Sequence, residues 1–205
     1  MPAATKARIV DASSILFRRN GYAGTGLKQI VAMADAPFGS IYHFFPGGKA
    51  QLGEEVIRRS GQYYLELVAS VIDSTDDVAA GMEAAFTGAA ELLRATDYAD
   101  ACPIAVVALE VASTNDALRQ ATADVFESWI TGHVERFARA GVDPARAREL
   151  GIEAICALQG AFILSRAMRT TESLDVARGT VVASVRAALA DATGTNVRVK
   201  KSTRK

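Results

Sequence analysis

The stretch TGLKQIVAMADAPFGSIYHFFPGGK, residues 25–49, constrains the fold most. Leu27, Ile30, Val31 and Ala34 recur at helical spacing and give one apolar face. Thr25 stands where an N-cap is expected, because its hydroxyl suits an orphan N–H at a helix start. The periodicity breaks at Asp35-Ala36-Pro37. Proline suits a first helical position and biases the residue before it away from helix, so a second, short helix is expected from Pro37. Ile41 with Phe44 or Phe45 would anchor that helix on the first. Pro37, Phe38, Gly39, Ser40, Tyr42 and His43 would then face outward, and Gly39 would let the backbone approach another surface closely. Pro46-Gly47-Gly48 ends the helix. Two helices in a tight turn, the second carrying small polar and aromatic groups, suit a DNA major groove.

This segment resembles a known family. Thr25-x-Leu27-x-x-Ile30-x-x-x-Ala34, then Gly39-Ser40-Ile41-Tyr42-His43-Phe44-Phe45, then Lys49, resembles the DNA-binding domain of TetR/AcrR-type transcriptional regulators. Upstream, Arg8-Ile9-Val10-Asp11-Ala12, Leu16-Phe17 and Asn20-Gly21-Tyr22 resemble that family's first helix and its end. Ala36-Pro37-x-Gly39-Ser40, Phe45-Pro46-Gly47-Gly48-Lys49, Cys102-Pro103-Ile104-Ala105 and Ala108-Leu109-Glu110 resemble its LmrA/YxaF-like branch. The resemblance implies a homodimeric repressor that binds a palindromic DNA operator and is released by a small, largely apolar effector. Carried onto this chain, it implies DNA contacts from Thr25, Lys28, Pro37, Gly39, Ser40, Tyr42, His43 and Lys49. Two positions depart from the pattern. Asp35 replaces the usual turn glycine, so a left-handed backbone there carries mild strain. Phe38 stands where a basic or polar residue is common.

The charge distribution agrees with this reading. The net charge is zero, yet residues 1–50 hold six Lys/Arg against Asp11 and Asp35. The tail, residues 193–205, holds Arg198, Lys200, Lys201, Arg204 and Lys205 and no acid. The body between them is acidic. A basic head suits phosphate contact, and an acidic body disfavours wrapping by DNA. The tail is expected to be disordered, adding nonspecific DNA attraction or solubility.

Beyond Lys49 the chain reads as a string of amphipathic helices, over 49–72, 77–96, 103–112, 116–140, 145–170 and 174–191. Leu52, Val56, Tyr63, Leu67 and Val71 form the apolar stripe of the first. No alternating strand pattern or repeat interrupts them, so the fold class is all-α. The expected organisation is a helix-turn-helix domain over 1–48, a helical effector-binding and dimerisation domain over 49–192, and the tail. Small residues at Ala154, Ala157, Gly160, Ala161 and Ser165 permit close helix approach. With Ile155, Leu158, Phe162, Val181, Val185 and Leu189 they suit either an intersubunit four-helix bundle or an ordinary core. The resemblance favours the bundle.

The effector site implied by the resemblance would lie among the large apolar groups of the middle helices. Phe86, Leu109, Trp129 and Phe162 are the candidate wall, and Glu110, Asn115 and Gln159 the candidate polar contacts. Plain core packing explains the apolar members equally well. A largely apolar pocket suits a lipophilic compound.

Catalytic chemistry finds little support. Gly-x-Ser-x-Gly, P-loop and dinucleotide patterns are absent from the sequence. His43 and His133 have no partner at metal-ligand spacing, so no metal and no cofactor are expected. Cys102 and Cys156 suggest a reducing compartment rather than a disulfide framework. No apolar signal core follows Lys6 and Arg8, and the apolar run Ile104–Leu109 is too short to cross a bilayer, so a cytoplasmic chain without membrane contact is expected. A helical interaction module with no DNA role would leave the 25–49 constellation unexplained.

Overall fold

The computed structural model describes the backbone of residues 2–100 and 102–202, and the side chains of residues 3–100 and 102–193. Among them are nine helices and no strand: α1 Pro2–Asn20, α2 Leu27–Met33, α3 Gly39–Phe44, α4 Gly48–Ile72, α5 Val78–Ala95, α6 Pro103–Val111, α7 Asp116–Arg139, α8 Pro144–Met168 and α9 Glu172–Ser202. The all-α reading holds. Helix starts follow local side-chain chemistry. Asp77 accepts from the N–H groups of Ala79 and Ala80, and Asp143 from those of Ala145 and Arg146. Pro103 and Pro144 sit in the first turns of α6 and α8, where the missing N–H costs nothing.

The chain divides into two compact units. The first comprises residues 1–64 and 99–126, the second 65–98 and 127–205. In the first, Ile9 and Phe17 of α1 are fully buried with Ile30, Ile41, Phe45, Leu52 and Ile104. Burying such side chains contributes about 1.5–3 kcal/mol each, which is how the very short α2 and α3 hold a fixed pose. At Gly61 of α4 a Cβ would lie 2.6 Å from Val125 of α7. Only glycine permits that approach. The stripe expected along α4 holds for Leu52 and Val56, but Tyr63 and Leu67 are exposed. Ile57 takes their place in the core.

In the second unit α9 packs on both α5 and α8. Phe86, Met82, Leu93, Leu150, Val181 and Val185 belong to one continuous buried cluster. Arg136 of α7 makes a bidentate pair with Asp73, at 2.8 and 2.6 Å, and the pairing lowers the Asp73 carboxyl below its ordinary pKa. By length and composition α8 is the one helix among the described residues that could cross a membrane.

Helix α9 continues to Ser202, beyond the expected end at 191. The basic side chains assigned to the tail, Arg198 to Lys205, lie outside the described residues, so the expectation about them does too.

Candidate nucleic-acid interface

Helices α2 and α3 are joined by a turn built around Asp35. Asp35 has φ +45°, the left-handed conformation anticipated for it. The N–H of Ala36 donates to Val31 O at 3.0 Å and that of Asp35 to Ala32 O at 3.4 Å. This is the Schellman pattern of helix termination. Arg8 of α1 completes it: its Nε donates to Ala34 O at 2.8 Å and its guanidinium to Asp35 O at 3.1 Å. Arg8 thus fixes the turn angle, a role no local pattern signals because it lies 26 residues from Ala34.

Helix α3 starts at Gly39, two residues later than expected, with Phe38 as its N-cap residue. The N–H of Ser40 already turns back to Pro37 O at 2.9 Å. Ile41 and Phe45 are the anchors and are fully buried, whereas Phe44 is half-buried. Pro37, Phe38, Gly39, Tyr42 and His43 are exposed, and Ser40 is half-buried. The Phe38 and Tyr42 rings meet edge-on with centroids 6.1 Å apart. Around a Cβ built on Gly39 there is nothing within 4 Å. The fold itself does not require glycine there. Lys28 is exposed on α2.

Thr25 does something other than capping. Its hydroxyl donates to Gly21 O at 2.7 Å and its side chain is fully buried. Gly26 is the N-cap of α2, and its N–H donates to Gln29 Oε1 at 2.9 Å. The expectation failed because a buried threonine hydroxyl must find a partner, and Gly21 O, freed at the end of α1, is the nearer one.

Lys49 lies in the first turn of α4, as expected. Its Nζ sits 4.3 Å from the centroid of the Tyr22 ring. Desolvation lowers its pKa, and the nearby Glu110 carboxylate partly opposes that. Glu110 Oε2 accepts the N–H of Ala23 at 2.6 Å. Glu110, expected to contact an effector, therefore holds the loop between α1 and α2. Other cations of the head are also engaged: Lys6 with Glu55, and Arg18 and Arg19 with Asp100. The basic excess counted along residues 1–50 is thereby partly neutralised in place.

The remaining effector candidates divide between the two units. Leu109 is 75% exposed and belongs with Glu110 to the first unit, as does Asn115, whose Oδ1 caps α7 by accepting the N–H of Leu118. Phe86, Trp129, Gln159 and Phe162 belong to the second. Phe86 is a core residue, and Phe162 packs half-buried on the same cluster. Two polar atoms of the second unit are buried without a partner: Gln159 Oε1 and His133 Nδ1. His133 has no metal-ligand neighbours in the sequence that would signal it. Burial, with a smaller contribution from Arg136, lowers its pKa to about 4, so it is neutral at physiological pH. No group of residues able to hold a metal occurs among the described residues.

Among the dimer candidates, two turn into the chain's own core. Val181 and Val185 are buried in their own chain's core, and Ile155, Leu158, Phe162 and Leu189 are half-buried. The exposed apolar face of the same helices is a different one. On α8 it follows Ile152, Cys156, Gly160, Ile163, Leu164 and Met168; on α9 it follows Val176, Gly179, Thr180, Ala183 and Ala187.

Residues 9–56 match the family model described as bacterial regulatory proteins, tetR family. Residues 78–180 match the model of the LmrA/YxaF-like transcriptional regulator C-terminal domain. This chain belongs to the TetR family, in its LmrA/YxaF-like branch. It is 28% identical over 170 residues to the HTH-type transcriptional regulator LmrA of Bacillus subtilis, covering 83% of this chain and 90% of LmrA. An uncharacterized HTH-type transcriptional regulator of Mycobacterium tuberculosis is 33% identical over 174 residues, covering 82% of this chain and 88% of the relative. In fold, it is similar to the regulatory protein TetR from Rhodobacter sphaeroides, with TM-score 0.77, 21% identity, and coverage of 87% of this chain and 97% of that one. FadR from Bacillus subtilis, solved in complex with stearoyl-CoA, has TM-score 0.66 at 16% identity, over 87% of this chain and 96% of FadR. This TetR-family chain is a DNA-binding transcriptional regulator and not an enzyme.

Proposed function

We propose that this TetR-family chain is a cytoplasmic, ligand-released repressor that binds a palindromic operator as a homodimer. The observation that carries the DNA part is α3: anchored by Ile41 and Phe45, it leaves Pro37, Gly39, Tyr42 and His43 outward with open space at Gly39. Ser40, Lys28 and Lys49 supply hydrogen-bond donors at its margins. Thr25 acts from beneath, by fixing the loop before α2.

The homodimer is supported by the α8–α9 face. Gly160 and Gly179 have open space around them, beside Ile163 at 56%, Met168 at 63% and Val176 at 64% exposure. A second copy would bury these side chains, and small residues would let its helices approach closely. Two heads related by a dyad then read half-sites about one DNA turn, roughly 34–36 Å, apart.

Effector release is supported by Gln159 Oε1 and His133 Nδ1. Buried polar atoms are ordinarily hydrogen-bonded, and a bound compound would satisfy them. The compound would be largely lipophilic with a few polar groups; the FadR neighbour was solved with stearoyl-CoA, which carries a long acyl chain. It would act by preferring the dimer whose heads mismatch the operator.

The test is footprinting on operators selected from random duplexes, repeated across a salt series and against an effector library. A protected palindrome that weakens with salt, and further with a lipophilic compound, supports the reading. A selected operator bound equally well with every saturating ligand sinks the release mechanism.

A further inference from the structure

We propose that Phe38 is a specificity determinant that recognises the C5-methyl group of a thymine in each operator half-site. The inference rests on the DNA-binding reading above and extends it to one base. Phe38 caps the N-terminal end of α3, the end from which helix-turn-helix proteins address base edges. It is 45% exposed, although Ile41 within the helix and Phe45 at its other end are fully buried. The fold therefore buries two apolar side chains of this helix and leaves a third at its leading end in water.

A phenyl ring has no hydrogen-bond donor or acceptor, so it can neither bind phosphate nor read the polar pattern of a base pair. The thymine methyl is the apolar group that the major groove displays, and an apolar side chain is its natural partner. Two features hold the ring for this task. Tyr42, one turn along, meets it edge-on with centroids 6.1 Å apart, which restricts its swing. Gly39, between them, adds no bulk that would keep base edges away.

The test uses an operator selected with the wild-type chain. Each deoxythymidine is replaced in turn, in both half-sites, by deoxyuridine, which removes the methyl and leaves the pairing edge intact. Binding of the full-length wild type and of Phe38→Ala is measured on every duplex, with thermal unfolding of the variant as a folding control. Burial of one methyl corresponds to about fourfold in affinity. One uridine position per half-site is expected to weaken the wild type by about that factor, and Phe38→Ala is expected to be indifferent at that position alone. Because the uridine scan on the wild type needs no variant, it stands even if Phe38→Ala misfolds. A tightly bound operator with no methyl-sensitive thymine overturns the Phe38 inference and leaves DNA binding intact. A methyl effect that persists in folded Phe38→Ala also overturns it. Failure of the wild type to select any operator overturns both this inference and the reading beneath it.

Discussion

Glu110 Oε2 accepts the backbone N–H of Ala23 at 2.6 Å, joining α6 to the loop that leads into α2. The same carboxylate lies where a Cβ at Gly21 would fall, 1.9 Å from Oε1, and Gly21 has φ +76°. Gly21 therefore admits the carboxylate twice over, by its backbone conformation and by its missing side chain. The loop's position is set by a residue 87 positions away in the chain.

Removing that link should loosen the head. Glu110→Ala is expected to cost about 1 kcal/mol of stability, the usual worth of a hydrogen bond at a partly exposed site. It should also lower operator affinity and speed exchange of the Ala23 amide. Hydrogen exchange read alongside DNA titration checks both effects, and unchanged Ala23 protection would refute the linkage. Gly21→Ala should be the more damaging change, because it adds a clash to an unfavourable φ.

Gly39 separates fold from function. Since nothing lies near its Cβ, Gly39→Val should leave stability within about 0.5 kcal/mol of wild type. Operator affinity should fall by about tenfold, the scale of one lost base-pair contact. Thermal unfolding and anisotropy titration of one preparation give both numbers. Retained affinity would mean that the α3 backbone does not approach the DNA.

Asp35 carries a conformational cost at φ +45°. Asp35→Gly should raise stability by about 0.5–1 kcal/mol, since glycine adopts the left-handed region without the Cβ penalty. Calorimetry decides. A lower midpoint would assign the aspartate side chain a stabilising part in the turn.

His133 predicts an acid-labile fold. Its folded pKa of about 4 lies below its ordinary value of 6.5, so the unfolded chain binds the extra proton first. The neutral histidine's contribution is present above pH 6.5 and is lost as pH falls from there towards 4. The slope is about 1.4 kcal/mol per pH unit and the total about 3 kcal/mol. Denaturant unfolding between pH 7 and pH 4.5 should show this slope in the wild type and a shallower one in His133→Leu. Equal slopes would mean that other groups dominate.

The α8–α9 face predicts its own readout. Ile163→Asp with Leu164→Asp should yield a folded monomer by light scattering, because both side chains are exposed in the single chain. The corresponding change at Val185 should unfold the chain instead, since it would bury a carboxylate in the core. A dimer that survives the double change would move the interface elsewhere.

What the sequence determined by itself was local. Helical periodicity, the order of the helices and the Asp35 turn all depend on residues within a few positions of one another, so they are legible in order along the chain. So was most of the outward set of α3, because Ile41, Phe44 and Phe45 fall on one face at i, i+3, i+4 spacing. Tertiary structure decided the rest. Thr25 turned inward to Gly21 O, Arg8 closed a turn formed 26 residues later, and Glu110 reached the α1–α2 loop. On α9, both Val181 and Ala183 look suited to burial by composition, yet only Val181 enters the core. Periodicity finds an apolar face, but which face a helix turns to its own chain depends on what the other helices bring against it. That competition for burial is settled only when they pack.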